Sequence, residues 1–196
     1  RTVTAPVLDI TGIGEITGID TTADHVRIGA GATWSQLIAT SLPPCFDALK
    51  AAAREVGSIQ IQNRATIAGN LCNASPAADS VPALVCAGAI AVIAGPKGKR
   101  SVPVEKVPTA PGKTCLKKGE LVEAILLPKR PPRSGDAYLR LIPRSEMDIA
   151  VVGVGVNLTL DAKGVCTAAR VSLGAVAAQV LLVADAAKAL IGSKVD

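Results

Sequence analysis

The chain has 196 residues, 49% of them apolar and 2% aromatic, and carries a formal net charge of +5 from 21 basic and 16 acidic residues. That length holds one large domain or two small ones, with a core built of Ala, Val, Leu and Ile. The basic residues are scattered and only Trp34, Phe46 and Tyr138 are aromatic, which argues against a nucleic-acid surface, since that needs stacking rings on a basic face.

Residues 7–38 alternate short apolar runs with glycine turns. Residues 26–30 read as a strand, after which Thr33 and Gln36 have the spacing of a capping box. Phe46, Leu49, Ala53 and Val56 recur at helical spacing, so a helix is predicted over 46–56 with Gly57 as its stop. Residues 57–79 are rich in small and amide side chains and are predicted as a loop. Gly69 in it allows close backbone approach to an anion, and Thr66 and Asn70 offer side-chain hydrogen bonds. A short apolar helix over 80–89 follows, with Pro82 tolerated in its first turn. A buried strand over 89–94 leads into a hairpin turn at 95–98, where Lys97, Lys99 and Arg100 read as a solvated turn. A further strand over 120–127 ends at Pro128.

The Pro- and charge-rich stretch 129–135 is the predicted boundary between domains spanning 1–128 and 135–196. Beyond it, strands are predicted over 136–142, 149–160 and 165–175, with a hairpin at 161–164, and an apolar helix over 177–191. The five cysteines (Cys45, Cys72, Cys86, Cys115 and Cys166) are odd in number and form no C-x-x-C pair. They suit a reducing, cytoplasmic setting rather than a disulfide framework. No uninterrupted apolar run has membrane-spanning length. The lone His25 reads as an exposed strand residue. Ser58 and Ser75 lack a His partner that would support a hydrolase triad.

Two segments resemble one family. Thr66, Ile67, Ala68, Gly69 and Asn70 are similar to the Thr-Ile/Val-Gly-Gly-Asn flavin loop of the FAD subunit of molybdenum hydroxylases, the xanthine and carbon monoxide dehydrogenase medium-subunit family. Ala68 stands in place of the first glycine. Tyr138, Arg140, Arg144, Asp148 and Ala150 match the family's second block. The resemblance implies an α+β fold: a PCMH-type FAD-binding subdomain with a mostly antiparallel sheet and flanking helices, then a smaller three-stranded antiparallel α+β subdomain. It places the family's first flavin motif before Arg1 and its last helices after Asp196.

The same resemblance implies FAD as cofactor, with Asp79 on the flavin nucleotide, Val56 and Val122 packed against it, Arg140 near the ring and Ile149 over its reactive face. A cation near the ring would stabilise charge on reduced flavin. The implied partners are a molybdopterin-containing large subunit, an iron–sulfur small subunit, and NAD or another electron acceptor. Simpler roles stand beside these: Asp79 as a helix cap, and Arg140 and Arg144 in ion pairs with Glu146 or Asp148. The alternative function is a flavin-free module of the same fold that docks partner subunits.

Overall fold

The computed structural model describes residues 7–144 and 148–195. Glu146, one of the ion-pair partners considered above, lies outside them.

The first sheet holds five strands, β1 (Ile19–Thr21), β2 (His25–Gly29), β3 (Ile90–Gly95), β4 (Gly98–Pro103) and β7 (Leu121–Pro128), in the order β1-β2-β7-β3-β4. Every pairing in it is antiparallel. A minor hairpin, β5 (Pro108–Ala110) with β6 (Lys113–Thr114), precedes β7. The second sheet orders β8 (Ser134–Leu141), β9 (Val152–Leu160), β10 (Cys166–Gly174) and β11 (Leu181–Leu182) as β11-β10-β9-β8, again antiparallel. This is the α+β, mostly antiparallel architecture expected, with one correction. The second sheet has four strands, not three.

The added strand comes from the segment predicted as a helix over 177–191. Only Ala184–Leu190 is helical (α6). Leu181 and Leu182 pair instead with Leu173 and Ser172 at the free edge of β10. A continuous apolar run carries no periodicity that separates strand from helix, and an open sheet edge decides the outcome.

The other helices are α1 (Trp34–Ala39), α2 (Asp47–Arg54), α3 (Ile59–Gln62), α4 (Ile67–Asn73) and α5 (Ser80–Cys86). The capping box at α1 forms as expected, with Gln36 N–H donating to Thr33 Oγ1 and Thr33 N–H to Gln36 Oε1. Helix α2 ends before Gly57, whose φ of +55° suits glycine at a helix stop. The stretch predicted as a loop over 57–79 in fact contains α3 and α4. Helices of so few turns are specified by their caps more than by an apolar stripe, and Thr66 supplies one by accepting from Gly69 N–H at 3.0 Å.

Every residue of α5 is buried. On one side its apolar residues join the core that lies on the first sheet, with Trp34, Phe46 and Tyr138 in the same cluster. On the other side α5 lies directly on β9 and β10. A Cβ at Gly155 would fall 2.7 Å from the Pro82 carbonyl oxygen, so only a bare backbone allows this approach. Ser172 Oγ donates to that same carbonyl at 2.8 Å.

Two helix ends are closed by the second sheet. Phe46 occupies the N-cap of α2 and has no side-chain acceptor, but Asp136 of β8 accepts the Ala48 N–H at 2.9 Å. At the C-terminal end of α5, Arg170 of β10 donates through Nε and Nη2 to the Val85 carbonyl at 3.1 and 2.8 Å. Both answer the unsatisfied backbone groups that every helix terminus leaves.

Burial pushes the Asp136 carboxyl up to about 7. Its native pKa thus lies above its unfolded value, and the native state holds more protons between about pH 4 and 7. Its contribution to stability is greatest at acid pH and is lost as pH rises through about 7. Asp136→Asn keeps an oxygen to accept from Ala48 and removes the charge. We expect the variant to gain stability over the parent at pH 8 but not at pH 4. Urea unfolding at both values checks this, and an equal difference at the two would rule it out.

Candidate flavin site

The C-terminal end of α2, the α3–α5 segment and β8 meet around a cavity of about 380 Å³. Its wall includes Val56, Asn70, Asp79, Arg140, Asp148 and Ile149. Arg140 is its central group. Its side chain is 7% exposed and held between two carboxylates, Glu55 Oε2 at 2.6 Å from Nη2 and Asp79 Oδ2 at 3.3 Å from Nη1. Nη1 also donates to the Asp148 carbonyl at 3.1 Å. The Nε–H is buried without an acceptor among the described residues.

Asp79 does not cap α5, for no helix N–H reaches its side chain. Its carboxylate instead accepts from Tyr138 Oη at 2.7 Å and from Arg140. Burial raises the Asp79 pKa, against the lowering effect of Tyr138 and Arg140. Burial and the neighbouring Asp79 carboxylate in turn push the Tyr138 phenol well above its ordinary range. Arg144 and Asp148 form an ion pair at 2.8 Å, as the simpler reading had it, with Arg144 exposed. Asp148 Oδ1 also accepts the Ile149 N–H, and Ile149 itself is 73% exposed.

The residues predicted for the site separate into three groups. Asn70, Asp79, Arg140 and Ile149 converge on the cavity, together with Val56. Thr66, Ile67, Ala68 and Gly69 form the cap and first turn of α4. The Ile67 and Ala68 side chains point into the core, so what this turn offers a ligand is backbone. Thr66 Oγ1 takes the Gly69 N–H and the Thr66 carbonyl the Asn70 N–H. The Ala68 N–H is left with no intrahelical acceptor, whereas the Ile67 N–H lies against the antiparallel bridge between Thr33 and Thr66. Ala68 replaces glycine without strain, since its φ is not positive. Val122 is apart from both groups: it is buried in β7 opposite Ile93 and does not line the cavity.

The site has two further participants, Tyr138, to which the second motif assigns no role, and Glu55, which belongs to no motif. Glu55 does carry a signal: a carboxylate at a helix C-terminus is disfavoured by the helix dipole, so its place after Arg54 points to a partner elsewhere, which is Arg140.

Residues 2–130 match the family model of the FAD binding domain in molybdopterin dehydrogenase. The chain belongs to this family. Residues 137–196 of this FAD-binding family member match a second model, the CO dehydrogenase flavoprotein C-terminal domain. Among its relatives is the xanthine dehydrogenase FAD-binding subunit of Escherichia coli O157:H7, 35% identical over 158 residues, covering 79% of this chain and 54% of that protein. Another is the carbon monoxide dehydrogenase medium chain of Afipia carboxidovorans, 31% identical over 191 residues, covering 97% of this chain and 66% of that one. The structure of the Cu,Mo-CO dehydrogenase in its cyanide-inactivated form superposes with a TM-score of 0.89 at 32% identity, over 96% of this chain and 65% of that one. The chain thus spans between about half and two thirds of the length of these relatives. Among the described residues, no helix is long and apolar enough to cross a membrane, and no cluster of His, Cys, Asp and Glu is placed to hold a metal ion.

Proposed function

We propose that this chain binds FAD at the cavity around Arg140 and serves as the flavoprotein part of a molybdenum hydroxylase complex. The observation that carries the reading is the convergence of Asn70, Asp79, Arg140 and Ile149, from segments far apart in sequence, in a chain of the FAD-binding family. The donor set fits the cofactor. The Ala68 N–H, with no intrahelical acceptor, suits a phosphate oxygen. The carboxylates of Asp79 and Glu55 would repel a phosphate but accept from ribose hydroxyls. The unpartnered Arg140 Nε–H is a donor that a ligand acceptor would satisfy.

Bound FAD would supply the electron-carrying chemistry, and the protein's part is to bind, orient and tune it. Ile149 offers an exposed apolar side chain to cover a ring. Val122 would act only from beneath, through the packing of β7. Electrons would arrive from an iron–sulfur small subunit beside a molybdopterin-containing large subunit and leave to NAD or another acceptor. The relatives are named as FAD-binding subunits and medium chains, which does not favour the alternative of a flavin-free docking module.

Gly69→Val tests the assignment. An added Cβ would sit 3.1 Å from Thr66 Oγ1, and the branched side chain would displace the cap that shapes the turn. We expect FAD affinity to fall by about tenfold or more, equivalent to about 1.4 kcal/mol, when the protein is titrated with FAD and flavin fluorescence is followed. Unchanged affinity in a folded variant would place the pyrophosphate elsewhere.

A further inference from the structure

The basic residues look dispersed along the sequence, yet two distant turns bring five of them to one hollow. Lys97, Lys99 and Arg100 come from the β3–β4 hairpin, and Lys117 and Lys118 from the turn before β7. Together with Pro96 they surround a cavity of about 300 Å³, at the small end of ligand pockets.

The two turns are locked together. Gly119, with φ of +80°, lies so close to Pro96 that an added Cβ would be 3.2 Å from the proline Cγ. A Cβ on Gly95 would be 2.8 Å from Glu120 Cγ. Glu120 clamps both sides. Its carboxylate takes Arg100 Nε and Nη2 at 3.0 and 2.7 Å, and also the Lys117 N–H at 2.8 Å. Arg100 reaches on to the Cys115 carbonyl at 3.1 Å. The Arg100 hydrogen bond holds the Glu120 carboxyl down to about 2, so the clamp persists across the physiological range.

Glu120 neutralises Arg100, and Glu123 pairs with Lys99 at 2.8 Å. Lys97, Lys117 and Lys118 have no ion-pair partner among the described residues. Holding three uncompensated cations around one hollow carries a small electrostatic cost, since all three are exposed to solvent. An anion would reverse that cost. Lysine ammonium groups are point charges that suit phosphate oxygens.

We propose that the interlocked turns 95–98 and 117–120 form a binding site for a small diphosphate-bearing anion, separate from the flavin site. The test is calorimetric titration of the whole chain with inorganic pyrophosphate at low salt, and in parallel with ADP. Saturable one-to-one binding is expected, weakened by added salt and reduced about tenfold or more in the triple variant Lys97→Gln, Lys117→Gln, Lys118→Gln. These exposed positions leave the Arg100–Glu120 clamp intact, so the variant should keep the parent's thermal stability. Equal affinity for pyrophosphate and ADP assigns the site to the diphosphate alone, whereas tighter ADP binding lost in the triple variant assigns a nucleotide. Three results would overturn the proposal: no saturable binding, binding undiminished in the triple variant, or binding removed by Gly69→Val, which would locate the anion in the flavin turn.

Discussion

Arg140→Met is expected to cost about 3 kcal/mol of folding stability, the low end of the loss when one partner is stripped from a buried ion pair. The low end applies because Glu55 is open to water and can rehydrate, its side chain being 44% exposed against 12% for Asp79. The cost therefore falls on Asp79, left with Tyr138 as its one remaining side-chain donor among the described residues. It should also depend on pH. Asp79 already titrates above its unfolded value, and losing the guanidinium raises it further. The native state then binds more protons than the unfolded state, so stability falls as pH rises through that window. Urea unfolding should show a larger deficit at pH 8 than at pH 5, and Asp79→Asn added to Arg140→Met should recover most of it. A deficit below about 1 kcal/mol at both pH values, typical of a solvent-exposed pair, would show that the network is not closed to water.

Gly155→Val should destabilise the fold by a comparable amount. Strand propensity alone favours valine, but the added Cβ meets the Pro82 carbonyl oxygen and carbon at 2.7 and 2.8 Å and Ser172 Oγ at 3.0 Å. The first two are helix backbone and cannot rotate aside. Overpacking of this kind costs roughly 1–3 kcal/mol, and at this chain length about 3 kcal/mol lowers Tm by roughly 6–12 °C. Gly135→Val is the matched control, on the neighbouring strand of the same sheet with nothing within 4 Å of its Cβ. Calorimetric melting of the two variants compares them directly, and equal Tm values would mean that α5 can retreat from the sheet at little cost.

What the sequence made legible was local. The capping box at Thr33 and Gln36, the stop at Gly57 and the hairpins at 95–98 and 161–164 each rest on residues within a few positions of one another. The family motifs pointed to Asn70, Asp79, Arg140 and Ile149, which the fold gathers around one cavity. What stayed hidden depends on contacts between distant segments. Leu181 and Leu182 became a strand because β10 had a free edge. Asp79 turned from the helix it precedes to Tyr138 and Arg140, about 60 residues on. Glu55 had no visible purpose until β8 brought Arg140 within 2.6 Å. Lys117 and Lys118 gained meaning only beside the hairpin at 95–98. The loop predicted over 57–79 failed for another reason: polar, small residues suit short capped helices as well as turns.

Asp136 on α2 and Arg170 on α5 bear on how this chain can be divided. Both helices lie within residues 2–130, matched by one family model, while of the capping side chains Arg170 lies within 137–196, matched by another, and Asp136 stands immediately before that span. Cut between them, the first piece would expose a helix start and a helix end with nothing to close them. The second would keep an isolated acid and an isolated guanidinium on a bare sheet face. The segments matched by two family models are tied to each other at both helix ends, so the intact chain should melt in a single transition. Recombining the pieces from different relatives would succeed only where the acid, the guanidinium and the glycine beneath Pro82 travel with the helices they serve.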